Sequence, residues 1–300
     1  MRLGFIGLGT MGRPMATHLL DHKYELGVYG RRPEAVVPLV ERGAVHFASV
    51  LDLAAECDVL FTMVTGTRDV EQLLVGDNGA VHGLRQGGLV IDMSTIDPTV
   101  TRTIALHLED KGVDMLDAPV SGGPQGARDA SLSIMVGGSK EVLDRANPLL
   151  KCLGTTILHM GESGAGQATK ACHQLLMLVT AQGVAEALTL AARCGVDVKL
   201  VQQAMMNGMA SSRVLDVFGG RMATRKFDDG IETRLYHKDL QTVLTLARSL
   251  GVSLPAGNVV MKFLDELMVE GNDRNDLSVL VKSVERVNQT GSQSASSSLS

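Results

Sequence analysis

Along the first half of the chain, short apolar runs alternate with longer stretches whose apolar residues recur at helical spacing. Arg2–Gly7, Leu26–Tyr29, Val59–Val64, Leu89–Met93, Met115–Ala118 and Leu132–Val136 read as strands, separated by glycine and polar clusters and by segments long enough for crossover helices. That order predicts a doubly wound α/β domain over residues 1–162, with helices on both faces of a parallel sheet. The pattern then changes. Ala168–Cys194 contains no proline, one glycine and many Ala, Leu, Met and Gln residues, which are good helix formers, and it predicts one long helix. Helical periodicity over Val198–Met206, Ser211–Val217, His237–Leu250 and Ala256–Glu270, with no strand pattern among them, predicts an all-α domain over 163–288. Residues 289–300 form a Ser/Gln/Gly tract almost without apolar side chains, and disorder is expected there.

Composition narrows the function classes. With 45% hydrophobic and 20% charged residues the chain can bury substantial cores. Its 33 acidic and 28 basic residues give a net charge of −5, with no basic block or basic-aromatic stripe, which argues against a nucleic-acid partner. The apolar N-terminal run is too short and glycine-rich for a signal-peptide core and no run approaches a membrane span, so a cytoplasmic protein without membrane attachment is expected. Cys57, Cys152, Cys172 and Cys194 are scattered, with no CxxC or Cys/His cluster, which predicts reduced core thiols and no metal site. The long helix carries Leu175, Leu176, Leu178, Val179, Val184 and Leu188 on more than one face, which predicts packing against other helices and self-association as a homodimer or homotetramer.

The first strand runs into Gly7-Leu8-Gly9-Thr10-Met11-Gly12, a GxGxxG pattern that opens a helix. The first glycine permits a tight turn, the second lets a pyrophosphate approach the backbone, and the third lets helix and strand pack closely, while the helix N-terminus attracts phosphate. The second strand ends at Tyr29, where an acidic residue would hold the ribose hydroxyl of NAD(H), yet the chain reads Gly30-Arg31-Arg32. Two guanidinium groups match a phosphate, so Arg31 and Arg32 predict NADP(H) rather than NAD(H).

Two further stretches present polar groups among glycines. Asp117-Ala118-Pro119-Val120-Ser121-Gly122-Gly123 closes an apolar strand and offers a hydroxyl and two unobstructed amides, donors suited to a small carboxylate substrate. Composition alone would make it an ordinary strand-ending turn. In Gly161–Gln174 glycines give way to the long helix, placing Lys170 and Gln174 one turn apart on one face, with His173 beside them. A helix start and partial burial both disfavour an ammonium, which suits Lys170 to proton transfer. Spacing alone also fits a solvated surface lysine.

These motifs, with Asp92-Met93-Ser94-Thr95 and Lys238-Asp239-Leu240, occur in one order along nearly the whole chain, and in that order the sequence resembles the β-hydroxyacid dehydrogenases. The resemblance implies an N-terminal Rossmann sheet and a C-terminal all-α domain joined by the long helix, with hydride transfer between NADP(H) and a 3-hydroxy acid or its semialdehyde. It assigns Lys170 as the acid/base and Ser121, Gly122 and Gly123 as the substrate-carboxylate loop. Gln174, with His173, falls where the family contacts substrate. Thr95 matches a residue near the nicotinamide ribose, Lys238 a lysine over the cofactor, and Met63-Val64-Thr65 an adenine-side loop. The family usually has asparagine where this chain has Gln174. His173-Gln174 is similar to the L-threonate dehydrogenase branch, which leaves oxidation at C2 open beside C3. An imine reductase and a silent NADPH-binding protein are the alternatives, and the presence of Lys170 and of the carboxylate loop argues against both.

Overall fold

A computed structural model describes residues 1–228 and 230–296, with side chains described through residue 288. Among the described residues nine strands form one sheet: β1 (Arg2–Ile6), β2 (Glu25–Tyr29), β3 (Val45–His46), β4 (Val59–Thr62), β5 (Leu89–Asp92), β6 (Asp114–Asp117), β7 (Val120–Ser121), β8 (Leu132–Gly137) and β9 (Gly154–Gly161). Their order is β3-β2-β1-β4-β5-β6-β8-β7, with β9 paired to β8. Alternation along the central strands explains the layering. Phe5, Phe61 and Ile91 point into one core and Ile6, Leu60 and Val90 into the other, so both faces are buried under helices.

The sheet is not wholly parallel, which corrects the expectation from the strand pattern. β1 to β6 pair in parallel, but β8 runs antiparallel to both β6 and β7, and β9 lies parallel to β8. The connection between β7 and β8, residues 122–131, turns the chain back instead of crossing over, and parallel neighbours need the longer crossover. The strands that the pattern does not reveal are the weakly marked ones. β3 and β7 have two residues each, and most of β9, including Thr155, Thr156, Leu158 and Met160, is exposed, so no apolar alternation marks it.

The chain falls into two compact units, Met1–Lys170 and Ala171–Ser300. Among the described residues no strand follows Gly161, apart from an isolated bridge between Glu232 and Asp276. Helices cover Ala165–Arg193, Val198–Met206, Gly220–Thr224, Thr233–Ser249, Pro255–Val269 and Leu280–Ser296, and the core of the second unit includes Leu178, Leu188, Leu240, Leu264, Leu267 and Leu280. Where a helix was expected over Ser211–Val217, a π-helical turn at Leu215–Gly219 leads into Gly220–Thr224. The last helix, Leu280–Ser296, extends into the tract expected to be disordered from residue 289. Residues 297–300 of that expectation lie outside the described residues.

Two further expectations are corrected. Cys57 and Cys152 are core thiols, burial pushing Cys57 up to about 12, but Cys172 and Cys194 are exposed, the first on an outer face of the long helix and the second just past its end. By length and composition that helix could pass for a membrane span, contrary to the reading of its sequence. Apolar residues on several faces are what a helix packed inside a protein carries, and Leu178, Ala181, Val184, Ala185 and Leu188 are buried here.

The start of the long helix rests on a buried carboxylate. Asp117, the last residue of β6, accepts hydrogen bonds from the backbone N–H of Gly164 at 2.7 Å and of Gln167 at 2.8 Å, groups that otherwise lack partners at a helix N-terminus. Gly166 makes the approach possible, since a Cβ there would lie 2.4 Å from the carbonyl oxygen of Met135. Burial pushes Asp117 up to about 6, with the Asp92 carboxylate adding to the rise and the two amides opposing it. Its protonated form is therefore favoured by folding, a contribution fully present below about pH 3.8 and lost as pH rises through about 6. The interval corresponds to about 3 kcal/mol. In urea titrations, the stability of the wild type relative to Asp117→Asn should rise by up to that amount as pH falls from about 8 to about 4. A difference that stays flat over this range would show that Asp117 does not take up the proton.

Candidate active site

Within the first unit the loops at the carboxyl ends of the parallel strands are tied to one another. These ends lie in register, with Ile6 beside Thr62, Thr62 beside Asp92 and Asp92 beside Asp117. Thr62 Oγ1 donates to Asp92 at 2.7 Å, and the N–H of Ser94 donates to the same oxygen at 3.2 Å. Ser94 Oγ in turn accepts from the N–H of Val64 at 3.0 Å, which binds the Met63–Thr65 loop to the Ser94–Ile96 loop that carries Thr95. This is the edge at which open α/β sheets bind ligands.

The three glycines of the first motif have three different surroundings. At Gly7, with φ +97°, a Cβ would lie 2.2 Å from the carbonyl oxygen of Met63, so the turn is locked against the Met63–Thr65 loop. At Gly12 a Cβ would lie 1.9 Å from the oxygen of Gly7, which fixes the close packing of the helix Gly12–Asp21 on its strand. At Gly9 a Cβ would meet nothing within 4 Å. Gly9 lines, with Leu8 and Thr10, a cavity of about 700 Å³. The fold requires the first and third glycines and leaves the second beside open space, an arrangement that fits a dinucleotide pyrophosphate against the backbone. Met11 closes the turn just before the helix and packs on the sheet core.

The two arginines expected to act together are directed apart. Arg32 lines the same cavity as Gly9 and Thr10, whereas Arg31 lines a separate pocket of about 440 Å³ with Val36, Val37 and Val40. Among the described residues Arg32 has a long 3.9 Å ion pair with exposed Glu34. Arg13 and Arg128, which the sequence reading did not single out, also line the larger cavity, and Arg42 lies there paired with Asp21.

Ser121 ends β7, and Gly122 (φ +133°) and Gly123 (φ +63°) follow in backbone conformations that side chains rarely adopt, opening the short helix Gly123–Arg128. Lys170 lies in the second turn of the long helix with 6% of its surface exposed. A solvated lysine would keep its ammonium in water, so this one is not a surface residue. Two groups that anchor the start of its helix were missed. Asp117 was visible only as part of a glycine-rich motif, and Gln167 stood unremarked three residues before the lysine. Gln167 is 1% exposed, accepts from the N–H of Ile96 at 3.1 Å and donates to the carbonyl of Ser94 at 2.7 Å.

In the second unit Gln174 and Lys238 meet Asp239, which the sequence showed only as part of a motif and without a role, and His173 meets Gln174. Gln174 Nε2 donates to Asp239 Oδ2, and His173 Nδ1 lies 3.1 Å from Gln174 Oε1. Lys238 Nζ is 2.8 Å from Asp239 Oδ1, an ion pair by distance without hydrogen-bond geometry. Gln174 is buried and its amide is oriented at both ends.

Comparison with known proteins shows what the whole chain is similar to. Residues 2–161 match the NAD binding domain of 6-phosphogluconate dehydrogenase, and residues 164–284 match the NAD-binding family of NADP-dependent 3-hydroxyisobutyrate dehydrogenase. The chain is 40% identical over 285 residues to 2-hydroxy-3-oxopropionate reductase of Escherichia coli, covering 95% of this chain and 97% of that protein. It is 36% identical over 288 residues to an NAD-dependent L-serine dehydrogenase of Pseudomonas aeruginosa, covering 94% and 97%. Among solved structures it is similar to Mycobacterium tuberculosis 3-hydroxyisobutyrate dehydrogenase with L-serine, at a TM-score of 0.86, 29% identity and coverage of 94% and 98%.

The contrast among the glycines is measurable. Gly12→Ala should lower unfolding stability by about 1–3 kcal/mol because the helix must move off its strand. Gly9→Ala should change it by no more than about 0.5 kcal/mol, yet weaken dinucleotide binding in a fluorescence titration. Wild-type NADPH affinity in Gly9→Ala would refute the assignment of that space to the cofactor.

Proposed function

Because the chain belongs to the β-hydroxyacid dehydrogenase family, as an enzyme that uses a nicotinamide cofactor, we propose that it interconverts a small 3-hydroxy acid and its semialdehyde. NADP(H) is the preferred cofactor and Lys170 moves the proton. The observation that carries this reading is the burial of a lysine at a position matching the family's catalytic one. The names of the relatives support C3 as the reacting carbon, since 2-hydroxy-3-oxopropionate, L-serine and 3-hydroxyisobutyrate all carry oxygen there.

The nicotinamide supplies or accepts the hydride when bound. The Gly7–Gly12 turn would hold its pyrophosphate, and Arg32 and Arg13, in the cavity beside Gly9, would hold a ribose phosphate. In the direction of reduction the Lys170 ammonium gives its proton to the carbonyl oxygen, and in oxidation the neutral amine takes it back. Ser121, Gly122 and Gly123 bind the substrate carboxylate through O–H and N–H donors. Gln174 has two amide hydrogens, one given to Asp239, which leaves the second for the substrate contact that the family resemblance assigns to this position. A longer side chain than the family's asparagine therefore serves the same contact, held in one orientation by Asp239 and His173.

Turnover of 2-hydroxy-3-oxopropionate, followed by cofactor absorbance, tests both parts. kcat/KM should be higher with NADPH than with NADH, and Arg32→Ala should erode the preference by roughly 1.5–3 kcal/mol, with a smaller effect for Arg31→Ala. Lys170→Met should cut kcat by about 10²–10⁴-fold while NADPH binding and the circular dichroism spectrum stay close to wild type. Preference for NADH would overturn the cofactor assignment, and intact turnover in Lys170→Met the lysine. Self-association is also proposed, supported by Leu176 and Leu190, which are 71% and 65% exposed on the long helix. Light scattering should then give two or four times the 31.8 kDa chain mass, and the single-chain mass at micromolar concentration would rule it out.

A further inference from the structure

Gln167 holds the backbone on both sides of Thr95 while standing in the helical turn that leads to Lys170. Its amide works as a peptide group would in a sheet, with Oε1 taking the N–H of Ile96 at 3.1 Å and Nε2 giving a hydrogen to the carbonyl of Ser94 at 2.7 Å. Its own N–H is fixed to Asp117 Oδ2 at 2.8 Å, so the residue is held from behind as firmly as it holds the loop. With 1% exposure no water can substitute for either loop contact. We propose that Gln167 is a positioning residue for hydride transfer, clamping the Thr95 loop to the first turns of the long helix so that the cofactor-side loop and Lys170 keep one fixed relation.

The inference rests on the catalytic reading of Lys170 and adds a residue to which no role has been assigned. A purely structural amide would matter for stability alone. A clamp also matters for the geometry of reaction, where a displacement of about 1 Å can lower the rate up to about 10²-fold. Each half of the clamp has a distinct chemical requirement, an acceptor toward Ile96 and a donor toward Ser94, and this makes it testable by proton uptake. In Gln167→Glu the carboxylate still accepts from Ile96 but faces the carbonyl of Ser94 with a second acceptor. Protonation restores an O–H donor at that place.

The experiment measures kcat and KM of wild type and Gln167→Glu with 2-hydroxy-3-oxopropionate and NADPH across pH, with thermal melts at each point. At alkaline pH the variant should show kcat lowered about 10- to 100-fold, with NADPH affinity and substrate KM within about threefold of wild type. The ratio of variant to wild-type kcat should then climb as pH falls and the glutamate takes up its proton. A folded variant with wild-type kcat, or a lowered ratio that stays flat with pH, overturns the proposal. Should Gln167→Glu fail to fold, hydrogen exchange of the wild-type Ile96 amide decides. Protection equal to that of β5 supports the clamp, and exchange as fast as that of an exposed loop overturns it. Lys170→Met, assayed alongside, separates the two ideas. Intact turnover there removes the lysine reading, whereas an inactive Lys170→Met beside a fully active Gln167→Glu removes only the clamp.

Discussion

A long helix that begins against the buried end of a sheet exposes its first N–H groups to a place without water, and the carboxylate of Asp117 is what answers them. Two hydrogen bonds accepted by one side chain settle where the helix starts and how it is rotated about its axis. Rotation matters because a helical side chain three or four residues further on inherits it. The direction of Lys170 is thus set at the end of β6, 53 positions earlier in the chain.

The arrangement is bought with buried charge. Asp92 and Asp117 are both fully buried and adjacent in the sheet register. Asp92 is met by Thr62 and the N–H of Ser94, and Asp117 by two helix amides. For Asp117 the balance still falls on the side of desolvation. Leaving any of these groups unanswered would cost more than the bonds return when made, so the network tolerates little local rearrangement. The loops bearing Val64 and Thr95 share that rigidity because Ser94 is common to both.

Much of this was legible in the sequence, and the boundary of legibility has a physical cause. Strands buried on both faces announce themselves as apolar runs, as Val59–Thr62 and Leu89–Asp92 do, and the long helix announces itself by composition. Edge strands such as Gly154–Gly161 have no such signature, because exposure removes the pressure for alternation. At the site, motifs marked the segments but not the contacts between them. Gln167 and Asp239 act through partners 71 and 65 positions away, a relation that no local spacing encodes. Arg31 and Arg32 show the converse. Adjacent in sequence, they were read as one feature, but consecutive side chains at the end of a strand leave it in opposite directions and line different pockets.

The open space beside Gly9 has a bearing on how variation in this chain would be sorted. Selection for abundance acts through the folded state, and at positions 7 and 12 it sees the backbone that an added methyl would strike. At position 9 it sees nothing. Substitutions there would accumulate under any regime that rewards folded protein alone and would disappear under one that rewards turnover. The gap between the two tolerances at a single glycine becomes a measure of whether a lineage still uses the site or has kept only the scaffold.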